Sequence, residues 1–580
     1  MANNNQPEIT CFAGDDDVQR KGWDTVRERE EETLSLVAPM IALGLALLFV
    51  LIWTLRKYIT KQFRAIQLTE ERRLRRRFLE EESKLHLEAS KQTNQSALMI
   101  SHLSTKKSHR KCLPPISAVS STMGLHHITV IGSYRSFLYA ISVVKTSANL
   151  LEENGFKRLN LAEEWKLEAG GRYYLTKGYT TICAFIVGGQ YRYGNGYVIV
   201  GAHTDSPCLK VRPISRLTRE GFKQVAVDCY GGGIWRTWFD RNLSLAGLVT
   251  YRNKDGGCQT ALVDLQHPIL YVPNVAIHLE TCTNRQQPDL KAEEHLQPIF
   301  MLENSLLGAE KKRDHHLELL KLIANEVKCE VDDIVDLDLR AYNTEKAVVG
   351  GMKNEFVFSA RLDNLVGVYS TLQGLIESAR DEENVKSDPC TRIGFCFDHE
   401  EVGSESATGA QSAIVNQILE RIYTGEDDMS NSAEGFSRGI HKSFIVSADQ
   451  AHAAHPNYPD KHERNHRPRF DGSVVVKINA NQRYATTPLS FTILHEMAKK
   501  ADVKLTKFVV QNASPCGSTI GPFISSKTGA LTIDVGCAQL GMHSCRECGD
   551  LASVFSAVRL YKELFSSYGQ KNETFAIRDE

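Results

Sequence analysis

Ligand-type residues recur along this chain where apolar runs give way to loops: His203 in GAHTDSP, Asp363 in ARLDNL, the adjacent Glu400 and Glu401 in DHEEVGSES, Asp449 in SADQAH and His543 in GMHSCRE. Four of the approach runs are strongly apolar: Tyr197–Gly201, Ile393–Phe397, Phe444–Val446 and Ala530–Gly536. In an open α/β sheet, ligands bind outside the carboxyl ends of the strands. Imidazoles and carboxylates delivered to one such edge form a nitrogen and oxygen donor set, and two His, three carboxylates and an extra Glu suit a pair of zinc ions better than one.

Each position has its own chemical logic. Neighbouring carboxylates such as Glu400 and Glu401 repel each other unless a cation sits between them. One can bind a metal while the other takes a proton from the water that the metal activates. Asp363 has two oxygens and can bridge two ions. A ligating imidazole hands its other N–H to a carboxylate or carbonyl, and Asp205, two residues after His203, is a candidate for that role. The His-rich stretch from His452 to His466 lies on a Pro-broken loop with no long strand feeding each His, so most of these are expected to be structural or to support the ligands from behind. The spacing Cys545–Cys548 has no second Cys pair, which weakens a zinc or redox reading.

The elements that must position these residues follow from patterning. Strands are predicted over the apolar runs and over Thr181–Val187, and helices over Tyr134–Asn154, Gly367–Ala379, Ala410–Tyr423 and Leu489–Lys500. That alternation is α/β. Short apolar and β-branched runs between His203 and Asp363 make a stretch large enough to be a domain inserted into the sheet that carries the ligand-type residues. Of the 580 residues, 42% are hydrophobic and 24% charged, and the formal net charge is -1, so nothing in the total points to nucleic acid. The 14 Cys are scattered, as expected for reduced thiols.

The amino-terminal part reads differently. After a polar segment, 1–33, residues 34–55 form an uncharged apolar run of about bilayer-spanning length. A basic, helix-favouring segment, 56–91, and a Ser/Thr-rich linker, 92–132, come next. The excess of Lys and Arg after Leu55 predicts a transmembrane helix with the catalytic domain in the cytoplasm. If this terminus is instead a merged or processed segment, a soluble cytoplasmic protein is expected.

From about Phe156 to Phe565 the sequence resembles the aspartyl aminopeptidases, in GGQYRYGNGYVIVGAHTDSPCLKV, YGGGIWRTWFDRNLSLAG, FVFSARLDNL, EEVGSESATGAQS, SADQAHAAHPNYPDKHERNHRP, KINANQRYA and SPCGSTIGP. The resemblance implies a zinc exopeptidase-type three-layer catalytic domain over 133–207 and 354–570, a β-rich dimerisation domain, 208–353, inserted into it, two zinc ions per subunit and a large homo-oligomer, dimer-based and up to a dodecamer. It implies that His203 and Asp449 bind one zinc, that Glu401 and His543 bind the other, and that Asp363 bridges them. Glu400 would be the general base and Asp205 would orient His203. Lys477 would pair with the acidic side chain of the substrate's first residue, and Tyr484, in the matching QRYA segment, is a further substrate-binding candidate. His278 would reach a neighbouring subunit's active site. Two departures stand out: the family's Ser-Pro-Ser-Pro-Phe-His stretch is missing near Val143–Leu150, and nothing before about Ser133 has a counterpart.

The expected activity is release of N-terminal Asp or Glu from peptides. An aminopeptidase for neutral residues is the alternative within the family, and Lys477 argues against it, because a buried ammonium is costly when no carboxylate arrives. An inactive membrane-anchored receptor or scaffold would be expected to lose ligands or the base, and none is missing.

Overall fold

In the computed structural model the described residues are 140–281, 289–303, 313–423 and 432–571, all within one unit, Ile116–Glu580. Four parallel strands form the middle of a 13-stranded sheet, in the spatial order Thr391–Phe397, Tyr197–His203, Phe444–Ala448 and Leu531–Leu540. Every residue of the first three is buried. A parallel sheet covered on both faces requires such unbroken apolar runs.

Alternation along the strands feeds two cores. Val198, Val200, Ala202, Phe444 and Val446 pack with Leu365, Val368, Leu560 and Leu564 of the helices Leu362–Ser378 and Leu551–Lys571. Tyr197, Ile199, Phe395 and Ile445 face the other way, onto Ile414 and Ile418 of the helix Ile414–Leu419 and Ile520 and Ile524 of Ile520–Thr528. The catalytic region is thus helix, sheet, helix. Antiparallel strands flank the parallel centre, among them Thr181–Ile186 on one side and Glu547–Asp550 with Phe356–Ser359 on the other.

Register brings the chemistry to one edge. Phe397 is opposite His203, and Ala448 is opposite Val535. The residues that follow, Glu400 and Glu401 after one strand and Asp449 after another, therefore emerge at the same carboxyl end as His203. Two glycines make room for this. A Cβ on Gly536 would lie 1.7 Å from the Asp449 carbonyl oxygen, and one on Gly367 would lie 2.6 Å from that of Ala448. No other residue fits either place without moving the backbone that carries Asp449.

A second, six-stranded antiparallel sheet is built from residues 208–343, in the order Cys258–Asp264, Leu243–Arg252, Ile334–Asn343, Cys208–Arg219, Phe222–Tyr230 and Ile299–Leu302. It has its own core, in which Leu209, Val225, Leu245 and Leu339 meet Leu319, Leu320 and Ile323 of the helix Leu317–Val327.

Expected and observed elements differ in places. The helix predicted over Ala410–Tyr423 is only Ile414–Leu419. Gln411 N–H and Ser412 Oγ–H instead donate to the carbonyls of Ser404 and Gly409, the local bonding by which Ser- and Gly-rich segments compete with a helix. The Tyr134–Asn154 helix is described from Ala140 to Glu153. Among the described residues no helix is long and apolar enough to cross a membrane. The expected segments 1–33, 34–55, 56–91 and 92–132 lie outside the described residues.

Candidate metal centre

His203 ends its strand with its imidazole buried, and three carboxylates surround Nε2: Asp363 Oδ1 at 3.3 Å, Asp449 Oδ1 at 3.4 Å and Glu400 Oε2 at 3.8 Å. Across the site, His543 Nε2 is 3.3 Å from Asp363 Oδ2 and 3.2 Å from Glu401 Oε2. Asp363 thus presents one oxygen to each imidazole.

These spacings suit zinc. Donors about 2.0–2.1 Å from a tetrahedral ion lie about 3.3 Å from one another. The contacts of both imidazoles with Asp363, of His203 with Asp449 and of His543 with Glu401 match that spacing, whereas Glu400 stands farther off. Asp363 Oδ1 and Glu401 Oε1 are also buried without a hydrogen-bond partner, which fits lone pairs meant for a cation. Compact donor groups can be drawn from His203, Asp363 and Glu401, and from His203, Glu400 and Asp449. The first draws Glu401 towards His203, but its direct contact is with His543, and that contact is the better guide to shared ligation.

The backbone around the ligands is held in unusual conformations. Arg361, His399 and His543 all have positive φ, at 60°, 62° and 66°. Such non-glycine conformations cost of order 1–3 kcal/mol each and persist only where surrounding contacts enforce them. Asp363 reaches the site from the flank: it follows the Phe356–Ser359 strand and is the second residue of the Leu362–Ser378 helix, where its φ/ψ of -84° and 104° are not helical. Ser206 Oγ–H donates to its carbonyl at 2.6 Å.

Without ions the electrostatics are lopsided. Burial pushes the Asp363 carboxyl up, but contacts with His203 and His543 outweigh it and hold it well below the usual range. Burial, aided by neighbouring carboxylates, pushes Glu400 up to about 8 and Glu401 well above its ordinary value. Burial lowers the His543 imidazole, but Asp363 overrides this and raises it to about 9. The cluster holds protons that dications would replace.

Asp205 is buried beside His203. Nδ1 of His203 is 3.1 Å from the Asp205 carbonyl and 3.5 Å from its Oδ1. The shorter contacts of the Asp205 carboxylate are with the backbone N–H groups of Glu400 and Glu401, both at 3.1 Å, and with the Tyr230 hydroxyl at 2.8 Å. Lys477 is buried, and its ammonium donates to Asp449 Oδ2 and to the Gln450 carbonyl, each at 3.0 Å. Tyr484 is buried 5.2 Å from that ammonium, ring centre to Nζ. His278 does not join the cluster within this chain: it lies exposed in the turn Ile277–Leu279 of the second sheet.

The His452–His466 stretch lines a cavity of about 450 Å³, with His452, His455, Tyr458 and His462 among its lining together with Phe508, Val510 and Met542. His455 N–H donates to His462 Nε2, and Glu463 pairs with His466. Cys545 and Cys548 are free thiols, the first buried.

The family description "Aminopeptidase I zinc metalloprotease (M18)" matches residues 137–565. The chain belongs to the M18 aminopeptidase family. It is 47% identical over 429 residues to a Caenorhabditis elegans aspartyl aminopeptidase, covering 72% of this chain and 89% of that protein. It is 38% identical over 466 residues to a probable aspartyl aminopeptidase of Ricinus communis, covering 76% and 94%. Among solved structures, a chain of an Ape4 and Nbr1 complex superposes with a TM-score of 0.76 at 37% identity, covering 81% of this chain and 90% of that one. A chain of the S. cerevisiae mApe1 dodecamer superposes with a TM-score of 0.66 at 26% identity, covering 79% and 99%. This M18 chain is therefore a zinc aminopeptidase by family, a hydrolase of mixed α/β fold.

Sequence reasoning missed two residues that touch the M18 site. Tyr230 holds Asp205 from the second sheet. Glu547 accepts backbone N–H groups from His543 at 2.7 Å and from Asp363 at 3.1 Å. Its one available signal was a carboxylate four residues after a candidate ligand.

Proposed function

We propose that this chain is a dinuclear zinc aminopeptidase that releases N-terminal Asp or Glu. The observation that carries the two-ion reading is Asp363, whose separate oxygens face separate imidazoles at ligand-to-ligand spacing. His203, Asp449 and Asp363 would hold one ion; His543, Glu401 and Asp363 would hold the other. When bound, the ions polarise the scissile carbonyl and acidify the attacking water.

The protein's own groups do the rest. The Glu400 carboxylate takes the proton from the water and returns it to the leaving amine. Asp205 fixes the Glu400 and Glu401 backbone and so sets where both carboxylates point. Lys has three N–H donors. Lys477 uses two, on Asp449 and Gln450, and its third is available to the carboxylate of the substrate's first side chain, alongside Tyr484. The names of the relatives support acidic specificity. His278 completes a partner subunit's site, so the second sheet is a dimerisation domain and the working enzyme a homo-oligomer. Exposed Val275, Ile277 and Leu279, at 52%, 57% and 77%, are the apolar contact that such an interface would cover. The apolar run at 34–55 supports a membrane anchor with the catalytic domain in the cytoplasm.

The test uses the full chain. Zinc is counted per subunit, and peptides beginning with Asp, Glu, Leu and Lys are compared. Two zincs and preference for Asp and Glu are expected. A single zinc rejects the dinuclear reading, and preference for Leu rejects the role of Lys477. Recovery of all the protein in the soluble fraction of expressing cells rejects the anchor.

A further inference from the structure

We infer that Glu547 is a positioning residue for both ion sites: it sets the separation of Asp363 from His543 by clamping their backbones with one carboxylate. This inference rests on the zinc reading of the site.

Glu547 begins the Glu547–Asp550 strand, opposite Ser359, and is 3% exposed. Its position is costly in isolation, because it places a buried carboxylate beside that of Asp363. What it gains is specific. Oε1 accepts the His543 N–H at 2.7 Å, and Oε2 accepts the Asp363 N–H at 3.1 Å. These amides belong to the two residues whose side chains meet at 3.3 Å, Asp363 Oδ2 to His543 Nε2. One rigid planar group thus fixes both backbones from which a bridging carboxylate and a terminal imidazole extend.

The need for such a clamp is visible in the chain. Asp363 and His543 come from separate places: one lies at the start of a helix, the other in the turn after Leu540. Neither stands in a regular ladder. His543 has a φ of 66°, and Asp363 is non-helical inside a helix. Asp205 plays the matching part on the other side, accepting the amides of Glu400 and Glu401. Each pair of working side chains hangs from a buried carboxylate that is not itself close enough to the imidazole Nε2 atoms to be counted with the ligands.

Glu547→Gln tests this. The amide keeps one oxygen for one N–H but turns an NH2 group towards the other, so one clamp contact becomes donor against donor. Zinc affinity is measured by chelator competition on full-length wild type, Glu547→Gln and His543→Ala, with thermal unfolding of each metal-free protein. Partners that orient metal ligands typically contribute about 10–100-fold in affinity. Expected is a loss of that size in Glu547→Gln, with kcat falling while KM for an Asp peptide stays near wild type. A merely structural Glu547 would lower the metal-free unfolding temperature and leave the zinc affinity of the folded protein unchanged, which overturns the inference. Failure of wild type to bind zinc, or of His543→Ala to weaken it, rejects the metal reading instead. Should Glu547→Gln fail to fold, Glu547→Asp decides: one methylene shorter, it can hold only one of the amides, and wild-type zinc affinity there overturns the clamp.

Discussion

Lys477→Met separates two jobs proposed for one ammonium. The first is to steady Asp449. At 3.0 Å and an effective dielectric near 20, the Coulomb attraction of the pair is about 5 kcal/mol before desolvation is counted. Both side chains are largely buried, at 3% and 12% exposure, so removing one partner costs about 3–5 kcal/mol in such settings. That cost falls on every substrate, because it acts through a proposed zinc ligand. The second job is to offer the remaining N–H to an acidic side chain, and a hydrogen bond to a charged group contributes about 1.5–3 kcal/mol. This part falls on Asp and Glu substrates alone. The informative quantity is therefore the ratio of kcat/KM for an N-terminal Asp peptide to that for the Leu peptide, measured at saturating zinc. The loss through Asp449 cancels in the ratio, and a fall of about 10- to 150-fold remains. An unchanged ratio, with both activities reduced, would show that Lys477 serves only Asp449 and that acidic selection lies elsewhere. Unchanged activities would refute both jobs.

Three further outcomes are expected. Glu400→Gln should retain zinc and lose at least about 100-fold in kcat; if zinc is lost from Glu400→Gln but kept in Glu401→Gln, the two roles are interchanged. Metal-free protein should lose stability as pH rises, by calorimetry. Folded Glu400 and Glu547, raised from 4.5 to about 8, hold protons that the unfolded chain releases above about pH 4.5, and folded His543, raised from 6.5 to about 9, does the same above 6.5. The gain in unfolding temperature on adding zinc should therefore grow from pH 6 to 9, and a gain that shrinks over that range would contradict the reasoning. Ile277→Asp, which puts a charge on the exposed turn beside His278, should shift sedimentation to smaller species and lower activity in step; a fully active monomer rejects the shared site.

What the sequence made legible is what parallel strands impose. Runs such as YVIVG and FIV are unbroken because both sheet faces are covered, and the first polar residues after them are at the ligand edge. Asp363 was recognisable as a residue but not as a position, since it enters from a flanking strand through a distorted helix start. Lys477 illustrates a deeper limit. Its partner is 28 residues away, and only the pairing of Val474–Lys477 against the Leu531–Leu540 strand brings it to Asp449. Glu547 and Tyr230 act on backbone amides and on another carboxylate, contacts that leave no periodic trace.

The boundary between the two sheets also disappears at the site. His543 Nδ1 lies 3.0 Å from the Gly232 carbonyl, the Ile234 N–H donates to the His543 carbonyl, and Cys545 N–H donates to Thr237 Oγ1. Tyr230, at the start of the same 230–237 segment, donates to Asp205 while Arg340 of the second sheet stacks 4.4 Å above its ring. A β-rich unit that served only for association would need none of these contacts. Instead it supplies an acceptor that can fix the tautomer of His543 and a hydroxyl that bonds the carboxylate beneath Glu400 and Glu401. His543 thus depends on the second sheet directly, and His203 depends on it through Asp205. A displacement of the 230–237 segment would be felt at both of the residues expected to flank the second ion, because hydrogen bonds run from it directly to His543 and, through Asp205, to the Glu401 backbone.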